Sequence, residues 1–253
     1  MVNVRHDITE PTVKRPHFYF WIALAMTATT LFGFFFTYFG PMLSGTYPVV
    51  SPAVHLHGWS FFAWYLLLPI QAGLVAARRV AVHRTLGTAS TVLAALMVAT
   101  GLVVLSTQMK LALAPGGSPF WFAMGPGILS TMLLFAGFYV AAYRTRRQPS
   151  AHRRYIVLAS AGGMGAATFR VFGVLFGFAD WVNMASILAP NVFVVAAMLH
   201  DVRQEKRVHP IYVWGLAISV ALEGAMLVLG MTAAGDPLRQ GLAWVGQLVA
   251  PVY

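Results

Sequence analysis

The sequence predicts an all-α integral membrane bundle of seven transmembrane helices, and three observations carry that prediction. Hydrophobic residues make up 58% of the 253 positions and charged residues 9%, with a mean hydropathy of +0.71; soluble domains carry about 25% charged residues. Apolar runs of ~20 residues, enough for a helix to cross the hydrocarbon core, recur along the chain. The basic residues alternate with those runs. Fourteen of the seventeen lie in four polar stretches: Arg5, Lys14 and Arg15; Arg78, Arg79 and Arg84; Arg144, Arg146, Arg147, Arg153 and Arg154; and Arg203, Lys206 and Arg207. The intervening polar stretches carry Lys110 and Arg239. This is the positive-inside pattern, and it predicts a cytoplasmic N-terminus and an exoplasmic C-terminus.

In order, the expected spans are His17–Phe39, Val54–Ala77, Thr85–Thr107, Pro119–Tyr143, Tyr155–Phe178, Trp181–His200 and Ile211–Thr232. Residues 1–16 are polar and read as a cytoplasmic tail, 17–232 as the transmembrane domain, and 233–253 as an exoplasmic tail. In the tail, Leu242, Trp244, Val245 and Leu248 have helical spacing, which suits an amphipathic segment in the outer interface. The first apolar run is too long for a signal-peptide h-region and reads as an uncleaved span. Spans two to seven form three successive hairpins. Each crosses a basic turn and re-enters just after a histidine: RRVAVHR with His83, RRQPSAHRR with His152, EKRVHP with His209. These histidines read as helix caps at headgroup level, with a cytoplasmic metal or haem site from His83, His152, His200 and His209 as the sharper alternative. Pro69, Pro126 and Pro190 fall inside descending spans, where they free carbonyls and kink helices.

Several classes are excluded. With no cysteine there is no disulfide, thiolate metal site or iron–sulfur cluster. The net charge of +10 flanks apolar segments instead of forming one patch, which points to lipid headgroups and away from nucleic acid. The chain has no P-loop, no HExxH, no serine elbow, and no lysine inside a span to carry retinal.

Ionisable residues inside a span are costly and are functional candidates by default. Arg170 lies in the outer half of the fifth span on a face of small residues (Gly162, Gly163, Ala166, Gly173), so it should point into the bundle. Glu223 is the carboxylate well inside the seventh span, sharing its face with Ser219 and Gly230; Asn191, beside Pro190, falls near the same depth. On the second span, His57 shares a stripe with Ser60, Trp64 and Gln71, whereas His55 shares one with Trp59 and Phe62. His57 is therefore the inward histidine, and His55 stands behind it or at the interface. By depth, His57, Arg170, Asn191 and Glu223 form one constellation. Two readings follow: an Arg170–Glu223 ion pair that locks the bundle, or a pocket in which His57 and Glu223 carry protons and Arg170 stabilises an anion or carbonyl. His55, Asn191, Trp59, Trp64 and Gln71 would contact a ligand there, with Phe34, Phe35, Phe36 and Phe62 as aromatic lining. A haem ligated by histidine and methionine, or an iron held by His55, His57 and Glu223, is chemically allowed.

The run HLHGWSFFAWYLLLPIQAGLVAARRVAVHRTLG, followed by AHRRYIVLAS and RVHPIYVWG, resembles a widespread family of uncharacterised bacterial polytopic membrane proteins. His55, His57 and Gly58 match its H-x-H-G start, His83, Arg84, Leu86 and Gly87 its H-R-x-L-G re-entry, and Arg207, His209 and Pro210 its late turn. The resemblance covers roughly residues 54–215 and implies a multi-pass protein of the bacterial inner membrane, with no established activity. The expected function is binding of a lipophilic small molecule or redox cofactor (quinone, isoprenoid or haem) in the exoplasmic half. The alternative is a non-catalytic subunit or assembly factor of a larger membrane complex. A transporter is disfavoured, because three similar hairpins lack the inverted repeats many transporters carry.

Overall fold

Proline sets the helix starts. Pro52, Pro119, Pro149, Pro210 and Pro237 each occupy a first-turn position, where the missing N–H costs nothing and the fixed φ is already helical. The computed structural model describes residues 17–253; the expected tail 1–16 lies outside the described residues. The chain runs as α1 (His17–Phe34), a π-helical turn (Phe35–Phe39), α2 (Gly40–Leu43), α3 (Pro52–Ala76), α4 (Val80–Ala112), α5 (Pro119–Arg144), α6 (Pro149–Gly162), α7 (Gly165–Phe176), α8 (Asp180–Leu188), α9 (Asn191–Glu205), α10 (Pro210–Met231) and α11 (Asp236–Leu248). The described residues contain no strand.

Among the described residues, six helical stretches are long and apolar enough to cross a membrane: Phe18–Leu43, α3, α4, α5, Asp180–Glu205 and α10; α6 and α7 form a further pair bent by 50°. Large apolar side chains such as Trp21, Val92 and Trp214 cover the outside. This is an integral, multi-pass membrane protein. α3 packs on α4 and α5 on α6, as successive hairpins should, but α10 packs more extensively on α5 than on its sequence neighbour α9. α1 lies between α3 and α7.

The stretch expected as a continuous fifth span, Tyr155–Phe178, is divided between α6 and α7 by a break. At Gly162–Gly163–Met164 the Met164 N–H turns to Ala161 O, and the Ser160 carbonyl is taken instead by the Tyr65 hydroxyl at 2.7 Å. Gly162 also lets the α5 backbone come close; a Cβ there would stand 2.8 Å from Leu134 Cβ.

The prolines inside spans follow one rule. Proline frees the carbonyl four residues earlier, and in lipid that acceptor must be satisfied by protein. Each is met by a side chain from another helix: Thr27 Oγ1 donates to Tyr65 O (2.6 Å) below Pro69, Arg239 Nε to Phe122 O (3.0 Å) below Pro126, and Thr168 Oγ1 to Ser186 O (2.6 Å) below Pro190. The kinks are docking points between helices.

The turn histidines differ from the expected uniform caps. Only one of them caps its helix: His209 Nδ1 accepts the Ile211 N–H at 3.2 Å. His83 and His152 lie inside the first turns of α4 and α6, because those helices begin at Val80 and Pro149. The C-terminal segment also departs from a simple interfacial helix. α11 packs its face of Arg239, Leu242, Ala243 and Gly246 along α4, leaving Trp244 and Leu248 outside.

Candidate functional site

A cavity of about 330 Å³ lies among α1, α3, α4, α5 and α7, on the arginine-poor side of the bundle. Ligand pockets span roughly 300–1,000 Å³. Its wall is mostly apolar and rich in aromatic rings, including Phe34, Phe61, Phe120, Trp121, Phe135 and Phe169, with the flexible side chains of Met97, Met124 and Met132 among them. The polar groups on it are few: His57, Arg170, Tyr38, Tyr47, Gln108 and Tyr253 stand out. A second, open hollow of about 340 Å³ sits under the loop after α2, and Tyr47 lines both.

Arg170 reaches the cavity from α7. Its Nη1 donates to Ala166 O at 2.8 Å, one turn back on its own helix, and its guanidinium carbon lies 4.1 Å from the centre of the Phe34 ring. α1 and α7 come close enough for that stacking because Gly33 faces the Ala167 carbonyl, where a Cβ would stand at 2.7 Å. Both partners of the guanidinium are neutral.

His57 enters from α3. Its Nδ1 lies 3.2 Å from Met97 O and 3.3 Å from Thr100 Oγ1 on α4. Because the carbonyl only accepts, Nδ1 carries a hydrogen and donates it; in the neutral imidazole that tautomer leaves Nε2 free to accept. Gly101 makes room: a Cβ there would lie 2.9 Å from His57 Cε1.

The expected four-residue constellation divides in two. Asn191 donates to Glu223 Oε2 at 2.7 Å across α9 and α10, and neither lines the cavity. The Arg170–Glu223 pair expected from depth is not formed, because α7 packs on α1 and α8 while α10 packs on α5.

The other expected contacts scatter as well. His55 Nδ1 bonds the Tyr38 hydroxyl at 2.9 Å, on a phenol that the π-helical turn swings inward. Trp59 is 53% exposed on the outer face. Trp64 lies in the core with Nε1 on Ser160 Oγ at 3.3 Å. Gln71, at the far end of α3, bridges to α4: in the amide orientation its neighbours require, it donates to His83 Nδ1 at 2.8 Å and accepts the Gly87 N–H at 2.9 Å. Of the expected aromatic lining, Phe34 faces the cavity, Phe35 and Phe36 are exposed, and Phe62 is in the core. The iron ligand set does not gather, since His55, His57 and Glu223 turn to three different partners; among the described residues no three such groups converge.

Sequence reasoning missed the tyrosines and Gln108. Gln108 Nε2 donates to the Tyr253 hydroxyl at 2.8 Å, which brings the C-terminal turn to the cavity wall. Two residues so distant in sequence leave no local signal. Tyr47 lies outside the spans; burial, the larger effect, holds its phenol above the ordinary value against the lowering charge of Arg170.

Also missed was a buried ionic node at the basic ends of α6 and α9. Arg154, wholly buried, grips Asp201 with two hydrogen bonds (3.0 and 2.8 Å) and Glu205 with one (2.7 Å), and also reaches Ser150. Asp201 and Glu205, one helical turn apart near the arginine-rich loop, were the available signal. Comparisons with protein-family models, with curated proteins and with solved structures give no match.

Proposed function

We propose that this chain binds one lipophilic small molecule in the cavity shared by His57 and Arg170. The observation that carries the reading is the placement of a guanidinium and an imidazole, from α7 and α3, on a largely apolar wall. A few convergent polar groups on a greasy cavity is the usual form of a small-molecule site. If chemistry occurs there, the bare Nε2 of His57 is the proton acceptor and Arg170 the group that stabilises an anion or polarised carbonyl. Glu223 and Asn191 stand apart and support the bundle.

We place this site in a seven-span topology with the α6–α7 pair as one bent span, the basic turns in the cytoplasm, and the cavity in the exoplasmic half of a bacterial inner membrane. The fourteen-to-two split of basic residues supports the orientation, and the three sequence motifs support the family resemblance.

The test is direct. Purified protein in detergent should carry a stoichiometric lipophilic molecule, seen by mass spectrometry of an organic extract or by its absorption spectrum. Arg170→Met should lose it while keeping its helical circular dichroism. Wild-type protein with neither a bound molecule nor thermal stabilisation by added quinones, isoprenoids or fatty acids would overturn the reading. A second reading, as a subunit or assembly factor, draws on Gly137 and Gly224, beside which a Cβ would meet only open space; small residues facing outward let another helix approach. A larger complex in mild detergent extracts, lost on Gly137→Leu, distinguishes it.

A further inference from the structure

We propose that the ligand of this cavity is a single-chain amphiphile with one carboxylate, the carboxylate seated on Arg170 and the chain running among Met97, Met124 and Met132. This rests on the cavity being a binding site.

Charge balance selects the head. Among the described residues, Asp201 and Glu205 are taken by Arg154, Asp236 by Arg239, and Glu223 is bonded by Asn191, while Asp180 is exposed at the start of α8 and joins no ion pair. Among those same described residues, Arg170 meets only a backbone carbonyl and an aromatic face. A guanidinium held in an apolar cavity without a counterion is costly, and a ligand anion removes that cost.

The count of charges selects a monoanion. Arg170 is the fixed cation; His57 spends its Nδ1–H on Met97 O, and the other polar groups named on the wall are phenols and an amide. Tyr253 accepts from Gln108, so its own O–H is left to donate. One cation with neutral donors suits a carboxylate, which takes a guanidinium by two parallel hydrogen bonds. A phosphate dianion or a diphosphate would bring surplus negative charge into the same space. The apolar lining selects a chain, and methionine side chains adapt to its bends.

The experiment uses photolabelling of the full chain in lipid nanodiscs with diazirine-bearing palmitic acid and, in parallel, its methyl ester. Labelled residues are located by mass spectrometry. A hydrogen-bonded charge pair is worth enough that the acid should label cavity residues about tenfold or more over the ester. Arg170→Met should bring acid labelling down to the ester's level, and Arg170→Lys should keep part of the preference. The wild-type comparison needs no variant, so it stands even if Arg170→Met fails to fold. Equal labelling of the cavity by acid and ester overturns the anionic head while leaving the cavity site intact. Labelling confined to the lipid-facing surface overturns both.

Discussion

Arg239 donates its Nε–H to the carbonyl of Phe122 at 3.0 Å, and that carbonyl is the acceptor which Pro126 leaves unbonded one turn later. The same guanidinium reaches Leu229 O, Gly230 O and Thr232 O at the end of α10, and pairs with Asp236. One side chain thereby ties α5, α10 and α11 together over the cavity side of the bundle. Thr27 and Thr168 serve Pro69 and Pro190 in the same manner.

Thr168→Val should destabilise the protein by about 1–3 kcal/mol, the cost of a buried acceptor left without a donor. In a Pro190→Ala background the new N–H can bond Ser186 O itself, so the same change should cost much less. Thermal unfolding of the two single variants and the double variant measures the coupling, and strict additivity would contradict the pairing.

Asp201→Asn should be among the most damaging polar substitutions, at about 3–5 kcal/mol, because it weakens a bidentate grip on the wholly buried Arg154. Glu205→Gln should cost less, since that carboxylate is partly exposed and Asp201 remains. Melting temperatures of the two variants give the ranking.

Arg170→Met and Glu223→Gln should be additive within about 0.5 kcal/mol, because they share no partner. Non-additivity would indicate a coupling absent from the geometry, in which Glu223 answers to Asn191 and Arg170 to Phe34.

His209 should add an acid-side loss of stability. Burial and then the charge of Arg154 hold its imidazole below 6.5, against the weaker upward pull of Asp201 and Glu205, with Arg207 also lowering it. The unfolded chain therefore binds the proton more readily than the folded one. The contribution is complete above pH 6.5 and fades as pH falls below it. Melting temperatures between pH 8 and pH 5 should fall more steeply for wild type than for His209→Asn, which keeps a capping side chain without titrating.

Most of the fold was legible in the chain. Span lengths follow from bilayer thickness, and helix starts follow from prolines such as Pro52, Pro119 and Pro210, because both are local properties of one segment. The break at Gly162–Gly163 was not legible, since the same small residues also serve an unbroken packing face.

By itself the sequence determined an expected depth: hydropathy and basic flanks rank His57, Arg170, Asn191 and Glu223 at one level, each read as inward on its own helix. It could not determine azimuth, because every inward face is equally apolar in composition and lipid does not select a neighbour. Tertiary packing decided that. Close approach at Gly33 set α7 against α1 and Arg170 over Phe34, Gly101 admitted His57 beside α4, and the α9–α10 contact left Glu223 to Asn191. Two polar residues at one level meet only if their helices are neighbours, and neighbourhood is a property of side-chain packing across the whole bundle.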